Sequence, residues 1–362
     1  MKVLEYIRYY SLNKLEEENT LHKNVPGHQL WNWDYLKKEG FEMSEVTPEP
    51  LTTSRLLRQL FMDNIKQQRK VIEMKDVDVV YAPFMWDAYY LALLKTLHLY
   101  RKPLVAIAQD TWDTNSCTSS LNRIKYRFLR YIAKHGVDKL LFISKSLYDQ
   151  CSWYFDEKGK QIPLAHWGVD TEFYDAYKRI HIEEEKNQNI FVTGGSNRDF
   201  LVMANAALLL KDECNCKIHI QTNRCPETIT PSDNLIVDRT PQDWSDLLKG
   251  YCNCLAVAVP LAEKLSFMTG ITVVLEGMAC RKPIISTYSP HYPFDIEKEK
   301  IGIYVPYGDA TAWKDAILYF VENPDEAREM GERGRHLIDS RHNYRLFCEE
   351  LKFHLSDLHS KL

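Results

Sequence analysis

Apolar and polar positions alternate along the chain as short apolar runs separated by longer stretches with helical spacing. In the first half, the apolar runs cover residues 3–10, 78–83, 103–110 and 139–144. Between them, apolar residues recur every three to four positions, which is the spacing of amphipathic helices. These helical stretches are residues 53–75, 88–99 and 122–135. Strands and helices in alternation predict an open parallel sheet, in which ligands bind at the carboxyl ends of the strands.

The second half repeats this alternation. Its strand candidates are residues 189–195, 217–221, 255–260, 280–285 and 302–305, and its helix candidates are 200–210, 243–249, 269–279 and the region from 310 onward. Between the halves lies an irregular segment, 163–170, which leads into the charged stretch 178–186. We therefore predict an α/β protein with a first domain over residues 1–168, a second over 169–340, and a C-terminal helix over 341–362 that packs back on the first.

One helix of the second half carries a buried charge. Thr269 can cap its start, Gly270 lets the backbone approach a ligand, and the first N–H groups of the helix form an anion site. Glu276 lies about two turns further on, among apolar residues. A carboxylate there must find hydrogen-bond donors, which the hydroxyls of a ribose would supply. The segment thus fits a nucleotide sugar, and the alternative is a core helix with one satisfied glutamate.

A second glycine loop follows the strand candidate 189–195. Gly194 and Gly195 allow the backbone to approach phosphate, and Arg198 can neutralise it with a fork of donors. Lys264, shortly before Thr269, can add positive charge. The alternatives are a tight turn with a surface arginine and a solvated lysine. Since both loops follow strands of one sheet, we expect them to converge on one diphosphate.

Composition narrows the function classes. The 362 residues carry a net charge of −4, which does not favour a nucleic-acid partner. The charge is uneven, at about +3 for residues 1–170 and about −7 for the rest. The nine cysteines include two C-x-C pairs, whose spacing is narrower than that of zinc sites, so reduced thiols in a cytosolic protein are favoured. We find neither an apolar run long enough to span a membrane nor a signal-peptide core.

Residues 122–135 form a helix candidate in which basic and apolar residues are interleaved. The basic ones are Arg123, Lys125, Arg127, Arg130 and Lys134, and the apolar and aromatic ones are Ile124, Tyr126, Phe128, Leu129 and Tyr131. Such a helix can lie on an anionic membrane surface. The alternative is a solvated basic face.

Four segments match sequence motifs: His166–Tyr174 is similar to "GVDTxxF", Gly270–Ile285 to "GxxxxEAMAxGKPVI", Gly308–Ile317 to "GDxxxxxxAI" and Glu329–Arg335 to "MGxxGR". In this order they resemble the motifs of the retaining glycosyltransferases of family 4, in which the first is an interdomain signature. Gly277 and Arg281 depart from the second of these. In the first half, only the segment 25–40 resembles the family, in its first loop and helix.

The resemblance implies the GT-B fold, in which two Rossmann-like parallel-sheet domains face a cleft. The backbone of Thr269, Gly270, Ile271 and Thr272 would then hold the diphosphate, together with Gly194 and Gly195. Arg198 falls where the family places a diphosphate-binding residue, and Glu276 matches the glutamate that binds the donor ribose. We expect Arg198, Lys264 and Glu276 to act in catalysis.

Two departures from the family pattern concern the sugar. Met268 replaces the first motif glutamate, and Gln109 replaces a histidine that often ends a strand of the first domain. Gln109 and Asp110 can still bind sugar hydroxyls, so we predict that they bind the acceptor, together with Gly27 and His28. No D-x-D motif follows a strand, which predicts that no metal is used.

We therefore predict a cytoplasmic, metal-independent, retaining glycosyltransferase that needs no cofactor. It would move a sugar from a nucleoside diphosphate sugar, a UDP-sugar in the first place, to a glycan or lipid-linked acceptor. Contact with the inner face of a membrane through residues 122–135 is left open. Two alternatives remain: an inactive partner or scaffold subunit, motivated by Met268 and Gln109, and another GT-B enzyme such as a nucleotide-sugar epimerase.

Overall fold

The chain folds into two compact units in a computed structural model. The first comprises residues 1–167 and 345–362, and the second comprises residues 168–344. The structure describes residues 1–22, 25–114, 119–154, 164–181, 189–240, 243–265 and 267–360. Residues 182–186 of the predicted charged stretch lie outside these ranges.

The first unit contains a five-stranded parallel sheet with helices along its chain. The strands are β1 Lys2–Glu5, β2 Glu42–Glu45, β3 Val79–Ala82, β4 Leu104–Ala108 and β5 Lys139–Phe142, in the order β2-β1-β3-β4-β5. The helices are α1 Leu12–His22, α2 Trp33–Lys38, α3 Arg55–Gln59, α4 Ile65–Glu73, α5 Met85–Thr96, α6 Ser120–Gly136 and α7 Lys145–Gln150. Short 3-10 turns cover Gly27–Leu30 and Ser152–Tyr154. Strands β3 and β4 are buried throughout, as expected for central strands of a parallel sheet.

The second unit contains a six-stranded parallel sheet. Its elements are α8 Thr171–His181, β6 Ile190–Thr193, α9 Phe200–Leu210, β7 Ile218–Gln221, β8 Leu235–Asp238, α10 Trp244–Asn253, β9 Ala256–Val259, α11 Ile271–Ala279, β10 Ile284–Thr287, β11 Gly302–Val305, α12 Ala310–Glu322 and α13 Pro324–Arg341. The final helix, α14 Tyr344–His359, belongs almost entirely to the first unit. The strand order is β11-β10-β9-β6-β7-β8. The predicted α/β fold with two parallel sheets is confirmed.

The order of the second sheet defines where a ligand is expected. Strand β6 lies between β7 and β9, and the chain runs outward from it in opposite directions on its two sides. A crevice opens at such a switch point, because the connections that follow the two central strands turn to opposite faces of the sheet. The residues that follow β6 and β9 are therefore the first place to look for a site.

The structure corrects one helix prediction and adds strand β8 and the helices α1, α7 and α8. Residues 53–75 form two helices, α3 and α4, because Phe61 adopts a left-handed conformation (φ 54°) that breaks the helical pattern between them. As a result, Leu56 is 65% exposed instead of packing in the core. Strand β8 was missed, because only its first residue is buried and its apolar run is short.

Candidate functional site

Two loops of the second unit meet at the switch point of its sheet. Residues 194–199 follow β6, and residues 260–270 follow β9. The amide of Asp199 donates to the carbonyl of Pro260 (2.8 Å), and that of Ala262 donates to the carbonyl of Asn197 (3.1 Å). The hydroxyl of Thr269 donates to the carbonyl of Ser196 (3.3 Å). The structure therefore brings together the two loops that the sequence predicted to converge.

The glycine loop is tightly packed around its backbone. Gly194 is left-handed (φ 85°), and a Cβ atom there would lie 2.8 Å from Nη2 of Arg198 and 3.4 Å from the side chain of Val273. A Cβ atom on Gly195 would lie 2.4 Å from Cγ of Arg224. Only glycine fits at these positions, so the loop keeps its backbone against the first turn of α11 and against two arginines.

Arg198 places positive charge in this loop. Its Nε donates to the carbonyl of Thr193 (3.2 Å) and its Nη1 to the carbonyl of Ser196 (2.7 Å). Burial lowers the pKa of Arg198, but a guanidinium stays protonated at neutral pH. Among the described residues, no acidic side chain forms an ion pair with it. An anion would therefore find an uncompensated charge here.

The start of α11 differs from the prediction in one respect. Gly270 is the N-cap residue (φ 83°) and no side chain caps the helix, because the hydroxyl of Thr269 points to Ser196 instead. A Cβ atom on Gly270 would approach the hydroxyl of Tyr292 to 2.8 Å. Thr269 and Ile271 are buried, and Thr272 is partly exposed. The first turn of α11 thus offers backbone groups, and not a side-chain oxygen, to a ligand.

Glu276 already has hydrogen-bond donors from the protein. It is 4% exposed, and its Oε2 accepts a hydrogen bond from the hydroxyl of Tyr251 (2.6 Å). Tyr174 also forms a hydrogen bond with Glu276. Burial, followed by the charge of Glu276, raises the pKa of Tyr174. Glu276 therefore has hydrogen-bond partners within the protein, as the alternative interpretation expects. Its contact with a ribose stays a prediction.

An open pocket of about 540 Å³ lies beside the glycine loop. It is lined by Thr193, Gly194, Gly195, Ser196, Gln221, Thr222, Asn223, Arg224 and Leu247. Arg224 is exposed and has no acidic partner among the described residues. Lys264 is also exposed, and its charge, after burial, contributes to lowering the pKa of His291. The pocket and its surroundings thus favour an anionic ligand.

The predicted acceptor residues lie in the first unit and are less open. Gly27 and His28 are buried, and His28 packs edge-on against Trp167 at 6.1 Å between ring centroids. Asp110 is buried, and its Oδ1 accepts from the amide of Trp112 (2.7 Å). Gln109 is partly exposed and its Nε2 donates to the carbonyl of Pro83 (2.6 Å). His28 is fully buried, and its contact with an acceptor stays a prediction.

Sequence patterns missed several residues of the second-unit site. Tyr174, Tyr251 and Tyr292 lie on α8, on α10 and after β10, and nothing in their spacing points to Glu276 or Gly270. Arg224 could have been found, because it follows strand β7 at the same edge of the sheet as Arg198.

The described residues contain no group of three or more His, Cys, Asp and Glu side chains that could hold a metal ion. The cysteines of the two C-x-C pairs, residues 214, 216, 252 and 254, are free thiols. That the protein works without a metal stays a prediction.

Comparisons with known proteins agree with this architecture. Residues 242–337 match the family model described as Glycosyl transferases group 1. Sucrose-phosphate synthase from Thermosynechococcus elongatus superposes with a TM-score of 0.72 at 13% identity, covering 100% of both chains. Anabaena HepE in complex with UDP-glucose gives 0.69 at 11% identity, covering 99% of this chain and 100% of HepE.

WaaG, a glycosyltransferase involved in lipopolysaccharide biosynthesis, gives a TM-score of 0.63 at 12% identity, covering 96% of this chain and 97% of WaaG. A search of curated protein sequences found no match. At these identities the likeness concerns the fold, and the chain has the two parallel-sheet domains of the GT-B architecture.

Proposed function

We propose that this protein is a retaining glycosyltransferase of family 4 that uses a nucleoside diphosphate sugar, with UDP as the nucleotide. The second unit would bind the donor and the first unit the acceptor, a glycan or a lipid-linked sugar. Three observations support the proposal: the switch-point site, the family match over residues 242–337, and the UDP-glucose named for HepE.

The observation that carries this proposal is the position of Arg198. Its charge has no acidic partner among the described residues, and it lies against Gly194 at the meeting point of the glycine loop and the start of α11. A diphosphate leaving group gains negative charge as the sugar departs, so donors and a cation placed there stabilise the transition state. Retaining transfer by attack from the leaving-group face needs no dedicated protein base, and we propose that no metal is needed.

Ligand binding tests the proposal directly. Calorimetric titration with UDP, GDP and ADP should show binding of UDP in preference to the other two, without added metal. Incubation with a panel of UDP-sugars and product analysis should then show transfer of a sugar to an acceptor. A folded protein that binds none of these nucleotides would contradict the proposal.

An inactive partner subunit is the second candidate. Met268 takes the place of the first motif glutamate and is 8% exposed, so a thioether lies where the resemblance implies a carboxylate. Binding of UDP without turnover on any donor of the panel would favour this candidate. An altered donor without transfer would instead indicate an epimerase.

We also propose that helix α6 contacts an anionic membrane. Its outer face exposes apolar side chains, namely Leu121 (73%), Ile124 (62%), Phe128 (39%) and Tyr131 (57%), with Arg123 and Arg127 exposed beside them. Exposed apolar residues next to positive charge fit lipid tails and anionic headgroups. No helix among the described residues is long and apolar enough to cross a membrane.

The structure changes which basic residues of α6 are relevant. Lys125 lies 5.0 Å from the centroid of the Phe61 ring, and Arg130 lies 5.5 Å from that of Trp153. Both are partly buried, so their charges pack against the protein, whereas Arg123 and Arg127 face outward. The interleaved pattern therefore contains an outward pair and an inward pair.

Vesicle co-sedimentation tests this contact. Changing Arg123 and Arg127 to Ser should weaken binding to anionic vesicles by roughly 30-fold, because each basic residue near such a surface contributes about 1 kcal/mol. The matched control changes Lys66 and Arg69, which are exposed on α4, and should have a much smaller effect. Wild-type protein that stays in the supernatant at low salt would contradict the proposal and leave α6 as a solvated basic face.

A further inference from the structure

Glu276 lies in a cluster with two tyrosines from two other helices. Tyr251 on α10 is 1% exposed and Tyr174 on α8 is 3% exposed. The ring of Tyr251 packs edge-on against Phe191, with 5.0 Å between centroids, which fixes the direction of its hydroxyl. That hydroxyl donates to Oε2 of Glu276 at 2.6 Å. The carboxylate is therefore held from outside its own helix.

The tyrosines remain donors at neutral pH. Burial, followed by the negative charge of Glu276, raises the pKa of both Tyr174 and Tyr251 well above the usual value. An ionised carboxylate can accept about four hydrogen bonds, which is more than two tyrosine hydroxyls donate.

We infer that Tyr174 and Tyr251 are positioning residues that hold the Glu276 carboxylate in the orientation in which it accepts hydrogen bonds from the two hydroxyls of the donor ribose. This rests on the proposed function, since it takes the donor to be a nucleoside diphosphate sugar. Tyr174 stands where the "GVDTxxF" signature has phenylalanine, so its hydroxyl is a feature of this chain and not of the motif.

The test compares the affinities of UDP and 2′,3′-dideoxy-UDP for the wild type and for Tyr251→Phe and Tyr174→Phe. Wild type should prefer UDP, and each variant should reduce that preference by about tenfold, because one charge-assisted hydrogen bond that orients Glu276 is lost. Dideoxy-UDP should bind the variants almost as well as the wild type. Tyr319→Phe is the matched control, since its hydroxyl donates to Glu326 in the same unit, and it should change neither affinity.

The ratio of the two affinities separates positioning from structural support. An equal loss for both nucleotides, or an unchanged ratio in folded variants, overturns this inference while leaving the proposed function intact. Wild type that binds neither nucleotide overturns both. Thermal unfolding checks that each variant is folded, and if Tyr251→Phe is not, Tyr174→Phe decides the question.

Discussion

Replacing Arg198 separates its charge from its role in ordering the glycine loop. The guanidinium makes two hydrogen bonds to backbone carbonyls, those of Thr193 and Ser196, and its Nη2 lies beside Gly194. Arg198→Ala removes the charge and both hydrogen bonds, whereas Arg198→Lys keeps the charge on a single donor group. A charge-assisted hydrogen bond to a phosphate contributes about 1.5–3 kcal/mol, which corresponds to roughly 10- to 150-fold in the dissociation constant.

Calorimetry with UDP and with uridine measures this effect. Arg198→Ala should weaken UDP binding by that factor and Arg198→Lys by less, because the lysine ammonium lacks the fork of the guanidinium. Uridine, which has no phosphate, should bind all three proteins alike. In turnover assays, kcat should fall more than KM rises, because the charge on the leaving diphosphate grows in the transition state.

Arg333→Ala is the matched control for the loss of an arginine. Arg333 lies on α13 of the same unit, and its Nε also donates to a backbone carbonyl, that of Lys300 (2.7 Å). This variant should bind UDP like the wild type. The role of Arg198 is refuted if the folded alanine variant retains wild-type affinity for UDP, or if uridine binding falls by the same factor. An effect on KM alone would mean that Arg198 stabilises the bound donor but not the transition state.

Three further outcomes are expected. Glu276→Ala should weaken donor binding by about 1.5–3 kcal/mol in calorimetry, and an unchanged dissociation constant would remove Glu276 from the site. EDTA should leave transferase activity intact. A loss of activity that Mn²⁺ or Mg²⁺ restores would contradict the metal-independent mechanism. Burial, and then the charges of Asp34 and Glu45, raises the pKa of Glu5 well above its usual value, so stability is full below the unfolded pKa and falls as pH rises towards the folded one. Glu5→Gln should therefore stabilise the protein at pH 7, and equal denaturation midpoints at pH 7 would contradict this.

The sheets and the meeting of the two loops could be predicted from the sequence. Buried runs such as 255–260 and the helices between them dictate parallel strands, because a crossover helix returns each strand to the same direction. Gly194 and Gly270 follow two such strands, and β6 and β9 are neighbours in the sheet. Local pattern suffices here, since the carboxyl ends of all parallel strands lie on one edge.

Contacts between distant residues could not be predicted in this way. Tyr251 precedes Glu276 by 25 positions and lies on another helix, so no local period relates them. His28 is buried and contacts Trp167, which lies far along the chain. The break at Phe61 depends on one left-handed residue, which no apolar spacing reveals.

The two charged residues of the second-unit site are stabilised by neutral groups. Glu276 accepts a hydrogen bond from the hydroxyl of Tyr251, and Arg198 donates to two backbone carbonyls. If both side chains served only the fold, we would expect them to form an ion pair with each other. Arg198, however, has no acidic partner among the described residues. A neutral partner can stabilise a charged group without cancelling its charge. A carboxylate held this way can still accept sugar hydroxyls, and a guanidinium held this way can still bind phosphate, which is the combination that a nucleotide sugar requires.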